Sequence, residues 1–174
     1  MLVFLGSETM FFAGLVSAFL ILRAGSPAWP PPGQPRLPVA VSAVNTLILF
    51  ASGFAVRQAV RSIRADLRLA LTRWLAVTAL LGGTFLAVQG SEWIRLLRFG
   101  LSFTSSLYGA TFYTLIGVHG LHAAAGLAAL LVVLRRAANG LYCLDDHCGV
   151  EVCSLYWCFV VLVWPVLYVI AYLL

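Results

Sequence analysis

Residues 99–134 read FGLSFTSSLYGATFYTLIGVHGLHAAAGLAALLVVL, 36 consecutive positions without an Asp, Glu, Lys or Arg side chain. A helix of about 20 apolar residues crosses the ~30 Å hydrocarbon layer of a bilayer. The run therefore holds one span with room for a lead-in. Ser102, Thr104, Ser105, Ser106 and Gly109 read as that lead-in, a polar loop and a helix start. Outward from it, residues 37–56, 74–91 and 152–174 are also free of charge, and residues 1–22 carry only Glu8. The reading is an all-α integral membrane bundle of five transmembrane helices, at about 1–23, 39–60, 70–94, 107–134 and 150–174, forming a single membrane domain over 1–174. The segments are continuously apolar and do not alternate with period two, which argues against a barrel.

Composition agrees. Hydrophobic residues make up 62% of the 174 and charged residues 10%, against roughly 45–50% and about 25% in soluble domains. That excludes a soluble enzyme, a disordered chain, a collagen-like fibre and a secreted disulfide scaffold. Met1 enters apolar sequence with no basic region and no small-residue cleavage site, which speaks against a removed signal peptide.

Arginine sets the expected orientation. Arg57, Arg61, Arg64, Arg68 and Arg73 cluster around the second connection, and Arg135 and Arg136 around the fourth. The other two connections hold Arg23 with Arg36, and Arg95 with Arg98. Seven against four places the second and fourth connections, and the N-terminus, inside, with the C-terminus outside. The net charge of +5 then reflects topology and lipid headgroups, not nucleic acid. Trp29, Trp93, Tyr142, Tyr156, Trp157, Tyr168 and Tyr172 fall near expected interfaces and read as aromatic belts. The proline-rich stretch 27–35 reads either as a stiff external loop anchored by Trp29 or as a docking segment for a partner.

A few residues bear on chemistry. Glu8 lies roughly 10 Å along its helix at 1.5 Å per residue. A carboxylate there has to be neutral, paired, or facing protein or water. It is either a neutral acid bonded to a neighbouring helix or a group for handling protons or sensing a partner. His119 and His122 share a helix face at i, i+3. The third histidine, His147, is in a loop, so interhelical hydrogen bonding is favoured over metal or haem ligation. Glu92 and Glu151 sit at helix ends and read as capping groups or as partners of Arg95 or a loop arginine. Cys143, Cys148, Cys153 and Cys158 recur every five residues, share no helix face, and read as apolar filler. Gly82, Gly83, Gly117, Gly120 and Gly126 are expected to let helices approach closely.

Six motifs in order resemble subunit III of haem–copper oxidases. They are Gly6-Ser7-Glu8-Thr9-Met10-Phe11-Phe12, Trp29-Pro30-Pro31 with Pro38 and Asn45-Thr46, and Gln89-Gly90-Ser91-Glu92-Trp93. Then come Tyr108-Gly109-Ala110-Thr111-Phe112-Tyr113 with His119-Gly120-Leu121-His122, His147-Cys148-Gly149-Val150-Glu151, and Tyr156-Trp157-Cys158-Phe159 with Val163-Trp164-Pro165-Val166-Leu167-Tyr168. The resemblance is collinear over the chain. It implies a non-catalytic subunit of a cytochrome c or quinol oxidase in a bacterial cell membrane. Such a subunit packs on subunit I, alongside subunits II and IV, binds phospholipid and supports proton uptake and turnover. Haem and copper then belong to partner subunits, and this chain holds no cofactor of its own. Glu8 matches the family's buried helix carboxylate, and Trp29, Glu92, His119, His122, His147 and Glu151 match its lipid-facing or inter-subunit polar positions.

Two departures stand out. Family members often have seven helices, so five imply either a short form or a missing pair supplied by another subunit. The family's last helix usually continues from Tyr-Trp as His-Phe-Val-Asp, where this chain has Cys158-Phe159-Val160-Val161. That leaves open a subunit III-like accessory of a nitric oxide reductase. A small haem- or quinone-binding membrane anchor and a small transporter are further alternatives.

Overall fold

The computed structural model describes residues 1–29, 31, 39–104, 106–143 and 147–173. Most of the proline-rich stretch (30 and 32–35), together with Arg36, Pro38 and Ser105 of the lead-in, lies outside the described residues. The helices are α1 (Leu2–Ala24), α2 (Val39–Arg64), α3 (Arg68–Arg98), α4 (Leu107–Ala138) and α5 (Cys148–Tyr168), the last continued by a π-helical turn at Val169–Leu173. All five are long and apolar enough to cross a membrane. No strand occurs among the described residues.

The helices outrun their apolar spans. α4 has 32 residues, about 48 Å at 1.5 Å per residue, well beyond the hydrocarbon thickness. The excess is arginine-bearing: Arg61 and Arg64 end α2, Arg95 and Arg98 end α3, and Arg135 and Arg136 end α4. A long arginine stem lies along the helix while its head stays in the headgroup region, so charge does not stop the helix. The connection expected at 61–69 shrinks to Ala65-Asp66-Leu67, with Asp66 in the left-handed region at φ 52°. At the other end of α3, Ser106 Oγ accepts from the Gly109 amide at 3.1 Å and caps α4 where the lead-in residues indicated.

α2 packs on α3 and α5, and α4 packs on α3 and α5, closing a four-helix core. α1 lies outside it, against α4 and α5, and buries only Phe12 and Phe19. Most of its other residues are apolar and exposed, open to lipid or to another chain, while Leu5, Glu8, Leu15 and Val16 are partly shielded.

The core is built around two tryptophans of α5. Trp157 and Trp164 are both fully buried, which takes Trp157 out of the expected interfacial belt; Tyr142 and Tyr172 leave it too. Glycine makes the room. A Cβ at Gly82 would stand 2.5 Å from Trp157 Cζ2, and one at Gly126 would stand 3.0 Å from Cε3. Serine and threonine satisfy the indoles. Trp157 Nε1 donates to Ser52 Oγ at 3.1 Å and Trp164 Nε1 to Thr46 Oγ1 at 2.8 Å. Both bonds tie α5 to α2. Buried polar groups need such partners in a membrane more than anywhere else, because lipid offers none.

Candidate functional site: a carboxyl–imidazole pair inside the membrane

Glu8 is not alone at depth. Its Oε2 lies 2.9 Å from His122 Nε2, joining α1 to α4, and both side chains are largely shielded. His122 is the sixteenth of the 32 residues of α4, so the pair sits level with the middle of that helix. Glu8 is therefore deeper than its distance from the start of α1 suggests, because α1 is offset along α4. The register is fixed by aromatic contacts. The Phe12 ring stands edge-on to the His122 ring at 5.2 Å, Phe11 is 6.4 Å from it, and Phe4 meets Tyr156 at 6.2 Å. Tyr156 OH donates to the His122 carbonyl at 3.2 Å.

The hydrogen bonds count the protons. His122 Nδ1 is 2.8 Å from the Val118 carbonyl, which only accepts, so Nδ1 carries a proton. The Nε2···Oε2 bond then needs exactly one more. It lies either on the carboxyl, beside a neutral imidazole, or on the imidazole, beside a carboxylate. Both arrangements have the same net charge, and both keep a proton at that contact.

His119 takes a different direction. It is fully buried, its Nε2 donates to the Val160 carbonyl at 3.1 Å, and its ring lies between Phe85 at 6.1 Å and Trp164 at 5.0 Å. Its Nδ1 is buried with no hydrogen-bond partner among the described residues. The two histidines share a helix, but one turns into the core while the other turns to α1. Among the described residues no three His, Cys, Asp or Glu side chains gather at metal-binding range.

The other sequence-predicted positions are dispersed. Glu92 is 6% exposed and bonded to Arg95 Nη1 at 3.0 Å. It was expected at a helix end, but α3 runs on to Arg98 and carries it inside, while Arg95 reaches outward. Trp93 beside it lies near Gly117 and Gly120 of α4, where an added Cβ would meet its ring at an ordinary contact distance of 3.5 Å. Trp29 stacks edge-on against Phe19 at 5.5 Å and Tyr108 at 5.1 Å, fastening the chain after α1 onto α1 and α4. Near the start of α5, Glu151 Oε1 accepts from Arg64 Nη2 at 2.7 Å and lies 3.3 Å from His147 Nε2. All four cysteines are free, and only Cys153 is buried. Cys158 and Val161, the two departures in the last helix, line a groove between α2 and α5 together with Arg57. Ser52 carried no sequence reading, and Tyr156 and Thr46 were read only as belt and motif residues; a hydroxyl on a membrane helix was the available signal.

The model of the family "Cytochrome c oxidase subunit III" matches residues 1–174. The chain belongs to the cytochrome c oxidase subunit III family. Among the relatives of this subunit III chain, cytochrome c oxidase subunit 3 of Synechocystis sp. is 42% identical over 98% of this chain and 72% of its own length. That of Thermostichus vulcanus is 35% identical over 100% of this chain and 85% of its own. The rabbit protein, from Oryctolagus cuniculus, is 39% identical over 99% of this chain and 67% of its own. Subunit III relatives so named belong to an oxidoreductase complex embedded in a membrane.

Proposed function

We propose that the chain is a non-catalytic subunit of a terminal haem–copper oxidase, holding phospholipid, packing on subunit I and supporting proton uptake and turnover. Haem and copper are carried by partner subunits in this reading, which sits in a bacterial plasma membrane with the N-terminus inside and the C-terminus outside. The observation that supports it best is the Glu8–His122 pair: a proton kept near mid-membrane, on a helix that buries only two of its residues in this chain. Such a helix has surface left for a neighbouring subunit, and such a pair holds a proton without any redox group. Trp29, His147 and Glu151, each only partly buried, act as lipid-facing or inter-subunit polar positions, whereas His119 and Glu92 are buried within this chain.

The test is purification in mild detergent, identification of the companion subunits, and turnover of the complex carrying Glu8→Gln. A catalytic oxidase subunit among the companions, with turnover or its durability reduced in the variant, is the expected result. A Soret band from the chain purified alone overturns the non-catalytic reading. Unchanged turnover, durability and association in Glu8→Gln reduce Glu8 to a packing group.

A further inference from the structure

Arg57, Arg61 and Arg64 occupy positions i, i+4 and i+7 of α2 and so lie along one face. Arg64 is held by Glu151 at 2.7 Å. Arg57 and Arg61 are exposed and make no ion pair among the described residues. Arg57 is seven residues deeper than Arg64, about 10 Å at 1.5 Å per residue, so it starts within the hydrocarbon layer if the Arg64–Glu151 pair marks the headgroup level. An unpaired arginine at that depth is costly unless an anion meets it.

Below Arg57 runs a groove of about 260 Å³ between α2 and α5, walled by Phe50, Gly53, Phe54, Cys158, Val161 and Leu162. Its wall is apolar apart from the guanidinium and contains no carboxylate. The occupant therefore has an anionic head and an apolar body in line with each other. A guanidinium fork matches phosphate geometry, and a flexible stem lets Arg57 reach up toward the level of Arg61. We infer that this groove holds an acyl chain of an anionic phospholipid whose phosphate is bound by Arg57 and Arg61. Two guanidinium groups beside the phosphate disfavour a zwitterionic lipid, whose cationic head they repel. The inference rests on the phospholipid-holding role proposed above and gives it a position and a lipid class.

The experiment compares lipids extracted from the purified complex, sorted by class, for the native chain, the Arg57→Gln/Arg61→Gln variant and the Arg57→Lys/Arg61→Lys variant. The glutamine variant is expected to lose a single anionic phospholipid, and the lysine variant to keep it. In parallel, delipidated native complex is offered anionic or zwitterionic phospholipid, and only the anionic class is expected to rebind and be lost with the glutamine pair. Equal anionic lipid in all three complexes overturns the groove site, as does equal rebinding of both classes. Departure of a companion subunit with lipid content unchanged also overturns it, and makes the groove a protein interface. A native complex with no retained phospholipid at all instead removes the broader lipid-holding role.

Discussion

Trp157 Nε1 donates to Ser52 Oγ at 3.1 Å, with both residues fully buried. Ser52 Oγ in turn donates to the Leu49 carbonyl at 2.6 Å, so the serine relays a backbone acceptor of α2 to a side chain of α5. Ser52→Ala leaves the indole N–H without an acceptor in a space that water does not enter. A loss of about 1–3 kcal/mol is expected, read as a lower thermal midpoint in detergent with the helix content of the native fold retained.

Gly82 and Gly90 are both glycines of α3 and should respond oppositely to alanine. At Gly82 the added methyl meets Trp157 at 2.5 Å, whereas at Gly90 nothing stands within 4 Å. Gly82→Ala is expected to cost about 1–3 kcal/mol by overpacking. Gly90→Ala is expected to be neutral or to stabilise by up to about 1 kcal/mol through helix propensity. Equal thermal midpoints for the two variants would contradict the seating of Trp157.

How α1 is held separates hydrogen bonding from proton content. In Glu8→Gln the amide N–H still donates to His122 Nε2, so attachment persists while the exchangeable proton is gone. In Glu8→Leu the imidazole keeps its place without a partner, and about 1–3 kcal/mol of attachment is lost. Hydrogen exchange along α1 is expected to rise in the leucine variant and to stay native in the glutamine variant.

Arg64 and Glu151 form the shortest ion pair in the described chain at 2.7 Å, yet both are solvent-accessible. Exposed pairs gain little because water and salt screen them and two long side chains must be held still. Arg64→Gln is expected to leave the thermal midpoint unchanged within error, at low and at high salt.

Five helices were legible because hydrocarbon tolerates so few charges, and charge placement is visible in a sequence. Where each helix stops was less so. Arg61, Arg64 and Arg68 look like loop residues, but arginine can stay helical and let its head reach water, so the α2–α3 turn closes in three residues. Trp157 looked interfacial because tryptophan usually is. Its burial depends on Gly82 and Gly126 arriving from two other helices, which no local pattern announces. Glu8 and His122 were each recognisable as residues needing a partner. That they need each other depends on the offset of α1 against α4 across 114 positions, a tertiary quantity set by Phe4, Phe11 and Phe12.

That separation also has a meaning in time. α1 leaves the ribosome before most of the surface it rests on, since Trp29 follows it at once but His119, His122, Tyr156 and Phe159 come far later. At about 5–20 residues per second, the 114 positions between Glu8 and His122 take roughly 6–23 s to synthesise. Through that interval α1 waits in the bilayer with its carboxyl unmatched by His122.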